Sequence, residues 1–374
     1  MYVRMTHHNE EESSGEGICI MSKLKIGIIG AGSISQAHLD AYKNNSEVEI
    51  YAICDLNEDR ARQTAKKYGA AQVFTDYKEL LSHPEIHSVS ICTWNNSHAQ
   101  IAIDALDAGK HVLVEKPLCM TVEQALEVEK AVRRNKQVLQ VGFVRRYASN
   151  TRILKQFIDA NELGDIYYAK ASCLRRLGNP GGWFSDIERS GGGPLIDLGV
   201  HVIDICWYLM GKPKVKSIKG NTYNKLGNRS NVENLSFYQA ADYDATKNTV
   251  EDLANAVISF ENGASIMVDV SFTLHAKEDT LAVKLYGDKG GAELEPQLQL
   301  VAEKFNTMLN VTPQVDNLSF DFGDAFQNEI NHFIGATLGR VETLSPVEDG
   351  VEMMKMLCGI YESAKTGKEV LLNQ

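Results

Sequence analysis

The sequence predicts an α/β protein in which an N-terminal doubly wound parallel sheet is followed by an α+β domain with an open, mostly antiparallel sheet. Three observations lead to this prediction. An isoleucine-rich run at 26–29 meets a glycine turn, short β-branched runs alternate with amphipathic segments up to residue 143, and later strands alternate between apolar and polar residues. Unbroken apolar runs are typical of strands buried on both faces, whereas alternation is typical of a sheet with one solvated face.

The glycine turn after the first strand indicates a nucleotide site. Gly30 permits a tight turn, and Gly32 has no side chain to hold a pyrophosphate away from the protein backbone. The next helix begins at Ser33 and Ile34, so its first N–H groups can point at the pyrophosphate charge. A second apolar run ends at Asp55, whose carboxylate can accept hydrogen bonds from both ribose hydroxyls. Because that carboxylate repels a 2'-phosphate, the cofactor is expected to be NAD rather than NADP.

The remaining elements of the first region continue the alternation of strand and helix. We predict strands at 88–92, 111–115 and 138–142, and a helix at 99–108 that ends at Gly109. This order is typical of a Rossmann domain, in which ligands bind at the carboxyl ends of the strands.

The pattern of apolar and polar residues changes after residue 146. Residues 264–275 alternate apolar and polar side chains, and a strand at 281–285 leads into a turn at Gly287. A helix at 348–366 carries an apolar stripe and is expected to pack back onto the fold. An open sheet has a face to cover, so we expect a homodimer or homotetramer formed through it.

Three regions follow from these patterns. Residues 1–22 are polar, acidic in the middle and without periodicity, which predicts a flexible extension. Residues 23–143 form the predicted dinucleotide-binding domain, and residues 144–374 form the predicted domain for substrate binding and oligomerisation.

Composition excludes several classes of protein. The 374 residues include 38 basic and 49 acidic side chains, and the net charge of -11 opposes binding to nucleic acid. No apolar run approaches the roughly 20 residues that span a bilayer, so no membrane partner is expected. The seven cysteines are scattered, with no C-x-x-C pair and no secretory leader, which favours reduced thiols, a cytoplasmic location and no metal site.

Two groups of residues can carry chemistry. Lys116 follows Glu115 at the carboxyl end of a predicted strand, where partial burial lowers the pKa of a lysine, so that it can either accept a proton or hold a substrate oxygen; the alternative is a solvated lysine. Asp197 and His201 are four residues apart in a glycine-rich segment that leads into a helix, so they share a face. The alternative is that the Asp197 carboxylate is already hydrogen-bonded at the helix and that His201 is a packed core residue.

Weaker signals flank these groups. Thr93, Asn95 and His98 follow a predicted strand and, together with Glu115 and Lys116, are predicted to lie beside the cofactor. Ordinary loop residues are the alternative.

Two further positions are candidate substrate contacts. Either Arg146 or its neighbour Arg145 can bind substrate hydroxyls, with a surface salt bridge as the alternative. Trp183 and Phe184 can form a stacking wall for a sugar ring, with core packing as the alternative.

Taken in order, five segments resemble the Gfo/Idh/MocA family of oxidoreductases, and the likeness covers nearly all of residues 23–374. The resemblance implies that Lys116 binds and polarises a substrate hydroxyl, that His201 is the general base, and that Asp197 orients the pair or helps to bind substrate. Asn95 matches an asparagine that the family uses near the cofactor, whereas Trp94 stands where a proline is usual. The segments are GIIGAGSISQAH, the Asp55 strand end, TWNNSHAQIAIDALDAGKHVLVEKPL, VGFVRRY and GGGPLIDLGVH.

The reaction implied by the resemblance is reversible oxidation of a secondary hydroxyl on a sugar, inositol or related polyol, with hydride passing to nicotinamide. Two alternatives remain at this point. One is a lyase or glycosidase that uses bound NAD only transiently, and the other is a non-catalytic nucleotide sensor. Net NADH production separates the first alternative from a dehydrogenase, and intact Lys116, Asp197 and His201 argue against the sensor.

Overall fold

The computed structural model describes residues 23–372 except 230, 241 and 245. The predicted flexible extension at 1–22 lies outside the described residues. A six-stranded parallel sheet forms the first half, in the order β3-β2-β1-β4-β5-β6, which confirms the doubly wound topology. Its strands are β1 Leu24–Ile29, β2 Val48–Cys54, β3 Gln72–Phe74, β4 Ser88–Ile91, β5 His111–Glu115 and β6 Leu139–Gly142.

Helices cover both faces of this sheet. The helix predicted at 99–108 begins four residues earlier, at Asn95. The polar segment after the extended Trp94 forms the first turn of this helix and not a loop. The short edge strand β3 carries no apolar run long enough to be predicted. The helices are α1 Ser33–Lys43, α2 Glu58–Tyr68, α3 Tyr77–Ser82, α4 Asn95–Asp107 and α5 Val122–Asn135.

The second sheet has nine strands in the order β14-β13-β12-β11-β7-β10-β9-β8-β15. Only the β7–β10 pair is parallel among its described neighbours, so the predicted open, mostly antiparallel sheet is confirmed. Its strands are β7 Ile166–Leu174, β8 Val215–Tyr223, β9 Leu253–Phe260, β10 Ser265–Ser271, β11 Thr280–Gly287, β12 Gly290–Glu295, β13 Gln299–Lys304, β14 Thr307–Val311 and β15 Val370–Leu371.

The alternation predicted for 264–275 is correct only to Val270, one residue before the end of β10. Up to there, Val268 and Val270 are fully buried, while Met267 is 40% exposed. Ser271, Phe272 and Thr273 are all buried, and Thr273 bridges to another loop. The alternation therefore ends where the strand itself ends and contacts with loops begin.

The helices of the second half serve both sheets. As predicted, α10 packs back onto the fold, with Met354 and Leu357 fully buried. Ile330 and Phe333 of α9, in contrast, lie in the core of the first sheet, although the division at residue 143 placed them in the second domain. That division stays a prediction. The helices are α6 Ser149–Asp159, α7 Ile187–Ser190, α8 Val200–Leu209, α9 Phe322–Thr337 and α10 Val347–Thr366.

Over the described part of the chain, no helix is both long and apolar enough to cross a membrane. The same residues hold no cluster of three or more side chains suited to a metal ion. Six cysteines fall within this part of the chain, and all six are free thiols.

Candidate active site

The glycine turn lies at the carboxyl edge of the first sheet, between β1 and α1. Gly30 has φ +93°, and a Cβ atom there would lie 2.6 Å from the carbonyl oxygen of Cys92, so no other residue fits without displacing the backbone. A Cβ on Gly32 would meet nothing within 4 Å, and no side chain caps the helix that begins after it. The first N–H groups of α1 therefore face open space, which fits the pyrophosphate of a dinucleotide.

Asp55 directly follows β2 and helps to shape this turn. One carboxylate oxygen accepts the Ala31 N–H at 2.8 Å, and the other accepts the Asn57 N–H at 2.8 Å. Each oxygen keeps a second lone pair, so the carboxylate can still accept from ribose hydroxyls.

Lys116 and Asp197 meet across the cleft between the two sheets. The Lys116 Nζ atom lies 3.0 Å from Asp197 Oδ1 and 3.2 Å from the Asp197 carbonyl oxygen, and the two side chains are 17% and 18% exposed. An ammonium group has three N–H donors. Because these bonds use two, Lys116 has one donor left for a substrate oxygen.

The segment that carries Asp197 is a π-helical turn, Leu195–Gly199, which continues into α8. Single π-helical turns are rare and are frequent at functional sites. Here the turn places Asp197 toward Lys116, and His201 follows in the first turn of α8. The shared face expected for Asp197 and His201 stays a prediction, and the Asp197 carboxylate pairs with Lys116.

The Glu251 carboxylate stabilises this π-helical turn, and no pattern in the sequence indicated it. Its carboxylate accepts the N–H groups of Gly193 at 2.9 Å and Leu195 at 3.2 Å, and the Tyr361 hydroxyl donates to it at 2.8 Å. A Cβ on Gly192 would lie 2.0 Å from the Tyr361 hydroxyl oxygen. The glycines are therefore required by close packing against this carboxylate and phenol.

The electrostatic setting of His201 suits a base. Burial lowers the pKa of the His201 imidazole well below its usual value. Three positive charges, on Lys116, Arg145 and Arg175, lower the same pKa further. The ring is therefore neutral near pH 7 and can accept a proton.

The two adjacent arginines have different positions, and the candidate substrate role of Arg146 needs correction. The Arg146 side chain is fully buried, and its guanidinium donates to Asp204, Asp349 and the Leu344 carbonyl. Arg145 instead pairs with Glu295 at 2.7 Å and remains 17% exposed, close enough to His201 for its charge to lower the pKa of that imidazole. Of the two, only Arg145 is placed to meet a substrate.

Several predicted cofactor contacts turn inward. The Glu115 carboxylate accepts from His38 Nε2 at 2.8 Å and from the Lys116 N–H at 3.2 Å. His98 is 1% exposed, with Nδ1 2.8 Å from the Pro117 carbonyl oxygen. Both side chains are thus already bonded within the protein, next to the turn that carries Lys116, and their cofactor roles remain predictions.

Asn95 and Thr93 are also predicted to lie beside the cofactor. Asn95 is 6% exposed and donates to the Ser190 carbonyl oxygen at 2.7 Å, which ties α4 to the glycine-rich loop. Thr93 is half-buried at the end of β4 and accepts from Ser97 at 2.7 Å. Their cofactor roles remain predictions.

The candidate stacking wall stays a prediction. Trp183 and Phe184 stack on each other, with ring centroids 3.9 Å apart and an interplanar angle of 30°. Both rings are half-buried in a short turn that precedes α7. A substrate role for Trp183 remains a prediction.

The first half of the molecule is a doubly wound sheet with an open glycine turn. A helix of the second half brings a carboxylate and a neutral imidazole to a lysine of the first. Together these features define a two-domain dinucleotide-dependent oxidoreductase. Family models agree over nearly the whole described chain. Residues 24–143 match the oxidoreductase family with an NAD-binding Rossmann fold, and residues 155–372 match its C-terminal alpha/beta domain. The chain belongs to the Gfo/Idh/MocA oxidoreductase family, and its first domain binds NAD.

Individual relatives give the same result. The chain is 34% identical over 356 residues to D-glucoside 3-dehydrogenase of Escherichia coli K12, covering 94% of this chain and 98% of the relative. It is 28% identical over 347 residues to glucose-6-phosphate 3-dehydrogenase of Bacillus subtilis 168, covering 90% and 95%. A structure of levoglucosan dehydrogenase with NADH and levoglucosan has a TM-score of 0.81 at 23% identity, covering 94% and 100%, which is a likeness of fold.

Proposed function

We propose that this oxidoreductase oxidises a secondary ring hydroxyl of a glucose derivative, at C3 of a glucoside, with NAD as the acceptor. The pair of Lys116 and Asp197 beside a neutral His201 carries this proposal. The names of two relatives, a D-glucoside 3-dehydrogenase and a glucose-6-phosphate 3-dehydrogenase, support position 3 of the ring.

In the proposed reaction each residue has one task. Lys116 donates its remaining N–H to the substrate hydroxyl oxygen and favours the negative charge that develops there. His201 accepts the hydroxyl proton, and Asp197 holds the Lys116 ammonium in place. Bound NAD supplies the acceptor for the hydride. Arg145, with its partly exposed guanidinium, binds neighbouring ring hydroxyls.

We propose NAD rather than NADP as the working cofactor because the Asp55 carboxylate follows β2, where it would repel a 2'-phosphate. Among the described residues, Arg62 pairs with Glu58. Arg60 lies 3.6 Å from the Asp55 carboxylate, so its charge is already shared with that acid.

We also propose a cytoplasmic homodimer or homotetramer. Free thiols among the described cysteines support a reducing compartment. Apolar side chains on one face of the second sheet support association through it: Met267 is 40% exposed, its neighbour Val257 is 37% exposed, and Tyr286 is 39% exposed.

The test uses methyl glucosides deuterated separately at C2, C3 and C4, with NAD and then with NADP. We expect NADH to accumulate and deuterium to reach the cofactor only from the C3-labelled compound. Label from another carbon would contradict position 3, and turnover of inositol alone would contradict the glucoside. Sugar turnover without net NADH would favour transient redox chemistry, and NAD binding with no turnover would favour a sensor.

A further inference from the structure

The loop that joins β8 to β9 reaches the glycine turn of the first domain from the opposite side of the cleft. Its Tyr238 side chain is 55% exposed, and the Tyr238 hydroxyl oxygen lies 3.5 Å from the hydroxyl oxygen of Ser33. Ser33 is the first residue of α1, so its own N–H is among those that face open space. The two residues are 205 positions apart in the chain. This approach therefore bridges the two halves of the molecule at the pyrophosphate position.

We propose that Tyr238 is a cofactor-binding residue, which donates a hydrogen bond to the pyrophosphate of NAD from the side opposite α1. The distance itself supports a shared acceptor. An ordinary O–H···O hydrogen bond is about 2.7–2.8 Å long, so at 3.5 Å neither hydroxyl is well satisfied by the other. A phosphate oxygen lying between them can accept from both, and hydrogen bonds to a charged acceptor are stronger than those to a neutral one.

The loop is anchored well enough to hold Tyr238 in place. At one end, the Asp252 carboxylate accepts the N–H groups of Leu226 at 2.5 Å and Gly227 at 2.9 Å. Near its middle, the Tyr238 ring packs edge-on against Phe184, with centroids 6.5 Å apart. Phe184 is in turn stacked on its neighbour in the short turn before α7. The position of Tyr238 thus depends on packing inside the second domain as well as on Ser33.

The same loop is tied to the other cofactor-side helix, α4. Arg189 lies over the Trp94 ring, 4.4 Å from its centroid, and is 3.8 Å from the carboxylate of Asp242 in the loop. Trp94 precedes the first residue of α4. This gives a physical reason for the tryptophan where the family usually has proline, because the ring supplies a cation–π platform for the arginine that secures the loop.

The test measures cofactor binding rather than turnover. Tyr238→Phe and Tyr238→Ala are compared with the wild type for NADH, ADP-ribose and adenosine, by calorimetry and by stopped-flow release of NADH. We expect Tyr238→Phe to weaken the binding of NADH and ADP-ribose, which contain the pyrophosphate, by about tenfold, mostly through faster release, because a hydrogen bond to a charged group is lost. Adenosine, which carries no phosphate, should bind as before.

Tyr167→Phe is the matched control, because Tyr167 is similarly exposed, at 57%, and lies on β7. It should leave the affinity for all three ligands unchanged. Wild-type affinity of Tyr238→Phe for NADH and ADP-ribose would overturn the proposal. So would an equal loss for adenosine, which indicates a contact with the nucleoside, or a loss for NADH alone, which indicates the nicotinamide. None of these outcomes depends on the sugar, so failure here is distinguishable from failure of the proposed activity.

Discussion

Two ion pairs connect the first half of the chain to the helical segment 195–209, and they differ in burial and in spare donors. The pair of Arg146 and Asp204 is closed: the two side chains are 0% and 2% exposed, and both carboxylate oxygens receive hydrogen bonds from the guanidinium. The pair of Lys116 and Asp197 is partly open, with 17% and 18% exposure and one N–H of the ammonium unused. The saturated pair fixes the position of the helix, and the unsaturated pair is free to bind a ligand.

Residue type and spacing therefore do not distinguish an ion pair that fixes a helix from one that can bind a ligand. Asp197 and Asp204 lie two helical turns apart on one segment, and each faces a cation from the first half. Exposure and the number of remaining donors distinguish them.

The largest effect is expected from breaking the closed pair. Arg146→Met leaves the Asp204 carboxylate buried without its partner and removes a bond to Asp349, so the free energy of unfolding should fall by about 3–5 kcal/mol in urea titrations. Arg133→Met is the control, since that side chain is 68% exposed and should change stability by under about 0.5 kcal/mol. A loss below about 1 kcal/mol for Arg146→Met would contradict the structural role.

Breaking the open pair should affect catalysis instead. Lys116→Ala and His201→Ala should each lower kcat by about two or more orders of magnitude, because the first removes the donor to the substrate oxygen and the second removes the base. The affinity for NAD should stay nearly unchanged in calorimetry. Wild-type kcat in both variants would reject the mechanism.

The pH profile sharpens the contrast between the two sites. The neutral His201 ring is the active form, and its pKa lies well below the usual value, so kcat/KM for oxidation should stay level as pH falls through 6.5 and decline only at lower pH. Arg175→Met removes one positive charge and should raise the pKa of His201, which moves this decline to higher pH. An unmoved or lowered acid limb would contradict the electrostatic argument.

The smallest effect is expected at the support beneath Asp197. Tyr361→Phe removes one hydrogen bond to Glu251 and should cost about 1 kcal/mol of stability. Because the π-turn is displaced only slightly, kcat should fall by at most about fivefold with KM unchanged. If KM rises by a larger factor than kcat falls, Tyr361 acts on substrate binding and not on the position of Asp197.

Much of the first domain is predictable because its signals are local. The apolar run before Gly30, the conformation required there and the carboxylate at Asp55 all depend on neighbours in the chain. Those signals led to the parallel sheet and to the nucleotide turn. Lys116 could be predicted for the same reason, since the end of a buried strand is visible in the sequence.

Other assignments depended on contacts between distant residues. The sequence alone could not choose between Arg145 and Arg146, because neighbouring side chains in a short helical turn diverge and only packing decides which one is buried. Nor could it predict that α9 completes the core of the first sheet, since an apolar stripe does not specify its partner.

The sequence by itself determined five of the six strands of the first domain, the nucleotide turn and the candidate chemistry of Lys116, Asp197 and His201. Only the tertiary structure decided that Asp197 pairs with Lys116, that Glu251 holds the π-turn, and that Tyr238 approaches Ser33. The physical reason is range: backbone conformation and periodicity act over a few residues, whereas saturation of charges and donors depends on groups brought together from distant parts of the chain.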